Sequence, residues 1–206
     1  MSLQHDSVAI PGKVPIMIRD AGLVIGAMWV AFVAFWIFEA TRAKRAARGS
    51  ALPSLVRALV LIAIFLLIRI SFGMHLLRGL PGPIHASPIV AITGAAVCAL
   101  GIGVAMWARV YLGRNWGMPM SLREGHELVT TGPYALVRHP IYSGILIALV
   151  GTAAVQARWQ SVVLLVFFFA YFIYAAKVEE RTMREQFPVE YPAYVRRTRM
   201  LIPFVL

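Results

Sequence analysis

Leu128-Val-Thr-Thr-Gly-Pro-Tyr134-Ala-Leu-Val-Arg138-His139-Pro140-Ile-Tyr142-Ser-Gly144 packs two tyrosines, an arginine and a histidine between a Gly-Pro turn and an apolar run. Polar groups that dense at the edge of an apolar block are costly unless they bind something. Pro140 suits the first turn of a helix, where its missing N–H costs nothing. His139 then falls at the N-cap, and the following backbone N–H groups point outward. Such an end attracts a carboxylate or phosphate. Tyr142 lies on that first turn, and Gly144 lets another backbone or a ligand approach closely. The alternative is an interfacial anchor, with Tyr and Arg at headgroup level.

The rest of the chain supplies the setting. Its 206 residues are 60% hydrophobic, with a mean hydropathy of +0.74. A soluble domain would be nearer half apolar. The excess falls into blocks long enough to cross a hydrocarbon core of roughly 30 Å. Five spans are expected, at about 21–38, 55–77, 88–107, 140–155 and 161–176. The last two are short, and Gln156-Ala-Arg-Trp159 reads as the tight turn of a hairpin. The expected fold is an all-α integral membrane protein forming one membrane domain over 1–206. Its first three spans occupy 1–110, and the motif-bearing region 111–206.

Charge tests this layout. Fifteen of the twenty Lys and Arg residues fall in loop 41–57, loop 108–139 and the tail from Lys177. Five spans put all three segments on one side. The positive-inside rule then places the N-terminus outside and the C-terminus in the cytoplasm. The net charge of +11 is therefore that of membrane-flanking loops, and no nucleic-acid motif accompanies it. The first residues, with His5, Asp6, Pro11 and Pro15, do not read as a cleaved signal peptide.

Other chemistries find little support. Cys98 is the single cysteine and reads as a small packing residue. The five histidines are scattered without metal-ligand spacing, so no metal site is expected. Gly101-Ile-Gly103 begins like a dinucleotide fingerprint but lacks the third glycine and lies inside an apolar span. Gly94 with Cys98, and Gly101 with Ala105, read better as small-residue helix contacts. No hydrolase elbow or phosphate loop occurs. Arg69, within the second span, is a functional candidate by its position alone, and His75 lies near that span's end.

Two further segments carry polar groups. Glu180 has Arg184 four residues on, and Arg181 has Glu185, which reads as an ordinary solvated helix face. Glu179 has Met183 at that spacing and reads as a ligand-binding carboxylate. The tail from Phe187 to Pro203 mixes Tyr191 and Tyr194 with Arg196, Arg197 and Arg199. It reads equally as a basic lid over a charged ligand or as a membrane-surface segment.

These pieces together resemble the isoprenylcysteine carboxyl methyltransferase family, especially its short prokaryotic members. The resemblance runs from Gly113-Arg-Asn-Trp116 through His126-Glu-Leu-Val129, Gly132-Pro-Tyr134, Arg138-His-Pro-Ile-Tyr142 with Gly144, and Glu179-Glu180. It continues to Phe187, Tyr191, Tyr194 and Pro203. It implies an S-adenosylmethionine-dependent membrane methyltransferase whose lipophilic acceptor enters from the lipid. His126, Glu127, Leu128, Val129, Tyr134, His139, Pro140, Ile141, Tyr142 and Glu179 would enclose the cofactor. The cofactor site would lie on the cytoplasmic side, built by the last loop, the final helix pair and the tail. Glu179 and Glu180 would serve catalysis, and Arg197 and Arg199 would meet the acceptor. Members that methylate a prenylcysteine carboxylate carry an arginine one turn before the matching Glu, where this chain has Ala175. A phospholipid amine methylase, an NADPH-dependent sterol-type reductase and, more remotely, a channel or transporter are the alternatives.

Overall fold

The computed structural model describes residues 16–42, 87–113 and 128–203. They form five α-helices: α1 (Ile16–Arg42), α2 (Pro88–Leu112), α3 (Pro140–Gln156), α4 (Trp159–Gln186) and α5 (Glu190–Arg197). A short 3-10 turn, Gly132–Ala135, precedes α3. Ser87 starts α2, its hydroxyl accepting from the Val90 N–H at 3.3 Å, with Pro88 following as the first helical residue. Pro140 opens α3 in the same position, with His139 as the N-cap.

Three helices are long and apolar enough to cross a membrane: Asp20–Glu39, Pro88–Leu112 and Ser161–Gln186. Pro140–Gln156 is apolar but shorter. Large side chains such as Val30, Ile37, Ile89 and Val166 are mostly exposed, as lipid-facing positions are. The chain is an all-α, multi-pass integral membrane protein. The described residues hold three full-length spans rather than five, and the expected span at 55–77 lies outside them, with Arg69 and His75.

The helix expected to end near Ala176 continues to Gln186. Hydropathy drops at Lys177, but helix formation does not need apolar side chains. Ion pairs one turn apart, Arg181–Glu185 at 3.5 Å and Arg184–Glu180 at 3.7 Å, support the polar end. The α3–α4 hairpin turns where expected, with Ala157 in the left-handed region at φ 46°.

The tightest packing joins α2 to α3. Ala91, Gly94, Cys98, Gly101, Ala105 and Ala108 line the α2 seam; Gly144, Ala148, Gly151 and Val155 line that of α3. With lipid as solvent, helices associate by close packing rather than by escape from water, so small residues let the backbones approach. α1 closes over this pair through Ile25 and Phe32. Within the apolar layer, Trp29 Nε1 donates to Thr152 Oγ1 at 3.0 Å, and that hydroxyl donates to the Ala148 carbonyl at 2.8 Å. Cys98 Sγ lies 3.6 Å from the same hydroxyl. Arg109, almost wholly buried, ties α2 to α1 by donating to the Glu39 carbonyl at 2.8 Å.

A methyl group at Gly101 would lie 2.5 Å from the Gly144 carbonyl oxygen and 2.9 Å from Ala148 Cα. At Gly103, two residues on, it would meet nothing within 4 Å. Gly101→Ala should therefore lower the thermal midpoint of the detergent-solubilised protein, at a cost of about 1–3 kcal/mol. Gly103→Ala should leave it unchanged or slightly higher. Equal midpoints for the two variants would contradict this seam.

Candidate functional site

The quoted motif folds into a turn, a short extended stretch and a helix start. Gly132 takes φ 59°, and a side chain there would strike the Tyr111 ring. Tyr111 is held over the turn by a 2.7 Å hydrogen bond between its hydroxyl and that of Thr131. Tyr134 is buried, and its hydroxyl donates to the Ala108 carbonyl of α2 at 3.4 Å. Burial pushes the Tyr134 phenol well above its usual range, and the neighbouring Tyr194 and Glu179 push the same way.

The C-terminal tail lies across this stretch. Val137 and Arg199 form a parallel β-bridge. The Arg138 N–H donates to the Arg199 carbonyl at 2.8 Å, and the His139 N–H to the Met200 carbonyl at 3.0 Å. The Ser143 hydroxyl donates to the Leu201 carbonyl at 2.5 Å, and the Tyr194 hydroxyl to the Tyr134 carbonyl at 2.6 Å. The tail thus forms a strap across the motif; in α5, which precedes it, Tyr191 and Tyr194 are buried and Arg196 and Arg197 exposed.

α4 brings two adjacent carboxylates to the motif. Tyr142 donates to Glu179 Oε1 at 2.6 Å, and His139 Nδ1 lies 3.4 Å from Glu179 Oε2. Arg138 Nε donates to Glu180 Oε1 at 2.6 Å, and its Nη1 to the Thr198 carbonyl at 2.7 Å. His139 Nε2 is 3.5 Å from Glu180 Oε1. Both imidazole nitrogens thus face carboxylates, and only the imidazolium carries an N–H on each. Burial pulls the His139 pKa down, but Glu179 and Glu180 outweigh it and hold it above the usual histidine value. The rings of His139, Tyr142 and Phe172 stack in a column, with centroids 5.4 Å and 4.7 Å apart. Below it, Leu146, Ala175, Ala176 and Leu201 complete an apolar wall.

Of the residues expected around a cofactor, His139, Tyr142 and Glu179 come together directly. Pro140 and Ile141 form the adjoining helix start, and Tyr134 lies under the strap. Leu128 and Val129 are half-buried in the approach to the turn. His126 and Glu127 lie outside the described residues. The side chains of Arg197 and Arg199 are exposed, and Arg199 meets the motif through its backbone.

Glu180 departs from its sequence reading as a solvated surface residue. It is 6% exposed, because Arg138 reaches it from a segment 42 residues away. Sequence reasoning also left Arg138, Ser143 and Thr198 out of the site. Arg138 stood in the motif as a signal; Ser143 and Thr198 join it through side-chain-to-carbonyl bonds across 58 and 60 residues, which no local pattern announces.

Comparison with known proteins agrees with this architecture. Residues 89–190 match the phospholipid methyltransferase family model. A probable protein-S-isoprenylcysteine O-methyltransferase of Oryza sativa subsp. indica is 27% identical over 183 residues, covering 86% of this chain and 96% of the relative. The nickel-cobalt-cadmium resistance protein NccN of Alcaligenes xylosoxydans xylosoxydans is 35% identical over 113 residues, covering 53% of this chain and 51% of that one. The solved structure of a eukaryotic intramembrane isoprenylcysteine carboxyl methyltransferase shares the fold. Its TM-score is 0.53 at 18% identity, over 92% of this chain and 73% of the other. The chain is homologous to isoprenylcysteine carboxyl methyltransferases over most of its length and shares the fold of the solved one.

Proposed function

We propose that this enzyme transfers a methyl group from S-adenosylmethionine to a lipophilic acceptor that reaches the site from the bilayer. The carrying observation is Glu179, a carboxylate at the polar end of an apolar helix, gripped by Tyr142 and His139. The residues suit the cofactor. Glu179 offers a counter-charge to a sulfonium or an ammonium. The stacked rings of Tyr142 and Phe172 offer aromatic surface for the same cation. The first-turn amides after Pro140 offer donors to a carboxylate.

Bound there, S-adenosylmethionine supplies an electrophilic methyl group. The protein's part is alignment and exclusion of water more than strong acid catalysis. Tyr142 and His139 fix the Glu179 carboxylate. Of the two carboxylates expected to act in the reaction, Glu179 is the one turned to the aromatic column. Leu128, Val129, Tyr134 and Ile141 are proposed as further walls of the cofactor site, with His126 and Glu127. The exposed Arg197 and Arg199 are proposed to meet the polar end of the acceptor.

Ala175 is fully buried and packs in one cluster with Tyr142 and Leu201. A carboxylate acceptor would want a bidentate guanidinium, and this position offers none. The phospholipid methyltransferase match favours a second reading, in which the acceptor is a phospholipid amine. The proposed topology has five spans, including 55–77, with the N-terminus outside and the site cytoplasmic. Reporter fusions at the two ends should report opposite sides of the membrane; same-side termini would refute it.

Calorimetry on the detergent-solubilised protein should show saturable binding of S-adenosylmethionine and S-adenosylhomocysteine but not NADPH. Glu179→Gln and His139→Ala should each weaken that binding in protein that remains folded. Exclusive NADPH binding would instead favour a reductase.

The His139 geometry also predicts a pH dependence. Its folded pKa is raised, so its stabilising contribution is complete below the unfolded value, about 6.5. That contribution is lost as pH rises through the raised value. Between pH 6 and pH 9 the wild type should lose thermal stability relative to His139→Gln. Parallel curves for the two proteins would show that the charge on His139 contributes nothing.

A further inference from the structure

We propose that Lys177 and Arg181, on the lipid-facing edge of α4, form a binding site for the headgroup of an anionic phospholipid of the surrounding bilayer. The site is independent of the methyltransferase reading.

Helix geometry puts these residues on one line. At 100° per residue, Val163, Val166, Phe167, Tyr174, Lys177 and Arg181 fall within about 60° of a single line along α4. All six are exposed. The first part of this edge is apolar, as a surface against acyl chains must be. Tyr174 follows, and then two cations. The edge thus passes from aliphatic to aromatic to basic, in the order in which acyl chains, interface and phosphates succeed one another in a leaflet.

Packing fixes the depth at which the change occurs. On α3, Gly144 lies against Gly101 and Ala105 of α2, and Tyr142 stacks on Phe172 of α4 with centroids 4.7 Å apart. The start of α3 is therefore level with Trp107 on α2 and Tyr174 on α4, each just beyond those contacts. Both aromatic side chains are exposed, at 51% and 61%, and aromatics so placed mark the membrane interface. Lys177 and Arg181 follow Tyr174 by about 4.5 Å and about 10 Å along the axis. Long basic side chains reach headgroups from such positions while their stems lie along apolar surface.

The charges are free to take an anion. Residues four apart on a helix stand about 6 Å apart at Cβ, so one phosphate can meet both. Among the described residues Lys177 takes part in no ion pair. Arg181 lies 3.5 Å from Glu185, but those side chains are 86% and 71% exposed, and a pair so largely in water is weak. Glu180, three residues past Lys177, is turned into the protein by Arg138 at 2.6 Å. A zwitterionic headgroup would bring its own ammonium to this cationic edge, so the site favours a lipid of net negative charge.

The full-length protein in neutral detergent is titrated with phosphatidylglycerol, phosphatidylcholine or inorganic phosphate. Native mass spectrometry counts the retained lipid, and the thermal midpoint is followed in parallel. Wild type is compared with Lys177→Arg, Lys177→Gln, Lys177→Gln/Arg181→Gln and Arg158→Gln, the last removing one exposed charge at the opposite end of α4. Phosphatidylglycerol should bind the wild type more tightly than phosphatidylcholine and raise its midpoint. Each charge removed from the pair should weaken that binding about fivefold. Lys177→Arg and Arg158→Gln should bind as the wild type does. The altered side chains are exposed, so the lipid-free midpoints should all agree.

Equal retention of the two lipids would overturn the proposal, as would undiminished phosphatidylglycerol binding in the double variant. An equal loss in Arg158→Gln would show a general attraction of charge and would overturn the site. A midpoint rise with inorganic phosphate that disappears in the double variant would show a soluble-anion site instead of a lipid one.

Discussion

Two neighbouring carboxylates at the polar end of an apolar helix are the constraint around which this site is built. A charge withdrawn from water is costly unless it is paired and hydrogen-bonded. Glu179 and Glu180 emerge together where α4 leaves the apolar layer, so both must be answered. The answers come from one short stretch, Arg138, His139 and Tyr142, which lies 42 and 37 residues earlier in the direct hydrogen bonds. That explains why the motif is compact in sequence. A turn, an extended step and the first turn of a helix deliver three different side chains within a few ångströms of adjacent α4 positions.

The motif reaches α4 from the start of an α3 that is held tightly against α2. The small-residue seam draws α3 against α2 closely enough that Gly101 and Gly144 leave no room for a side chain between the backbones. The same approach sets the turn before α3 beneath Tyr111 and aims Tyr134 at the Ala108 carbonyl. Further along, α2 is fastened to α1 by Arg109, which reaches the Glu39 carbonyl and the carbonyl of Gly113. The helix pair is thus anchored at the end that carries the site.

What could be read in the sequence follows from the range of each interaction. Apolar spans are local sums, so α3 was legible nearly to the residue and α2 at its start, although α2 runs five residues past its expected end. The Gly94–Cys98 and Gly101–Ala105 pairs were legible because helical spacing is local too. The polar extension of α4 was not, because hydropathy marks the edge of the apolar layer rather than the end of a helix. Glu180 was misread for a related reason. Its Arg184 partner is one turn away and visible in sequence, whereas the Arg138 that buries it arrives through the tertiary fold. His139, Tyr142 and Glu179 were legible as a set from motif and resemblance, although their mutual geometry was not. The bridge between Val137 and Arg199 is backbone pairing over 62 residues, and side-chain patterns carry no trace of it.

The strap holds the motif in a way that would let the proposed site serve different acceptors. Its hold on the motif runs largely through tail carbonyls, those of Thr198, Arg199, Met200 and Leu201. Carbonyls are supplied by any residue, so these contacts fix the path of the tail without fixing its side chains. Arg197 and Arg199 are left exposed on the outer side of a segment whose inner side is already anchored. Such positions can change with little effect on the fold, because surface substitutions away from packed or paired groups seldom cost more than about half a kcal/mol. The motif and α4 carry the groups suited to the cofactor, while the outer tail and the lipid-facing helices carry the variable surface. Under the proposed function, chemistry and acceptor choice would therefore occupy separable parts of the same small fold. On that reading a homologous motif does not by itself fix the acceptor, and a buried Ala175 is compatible with the proposed cofactor site.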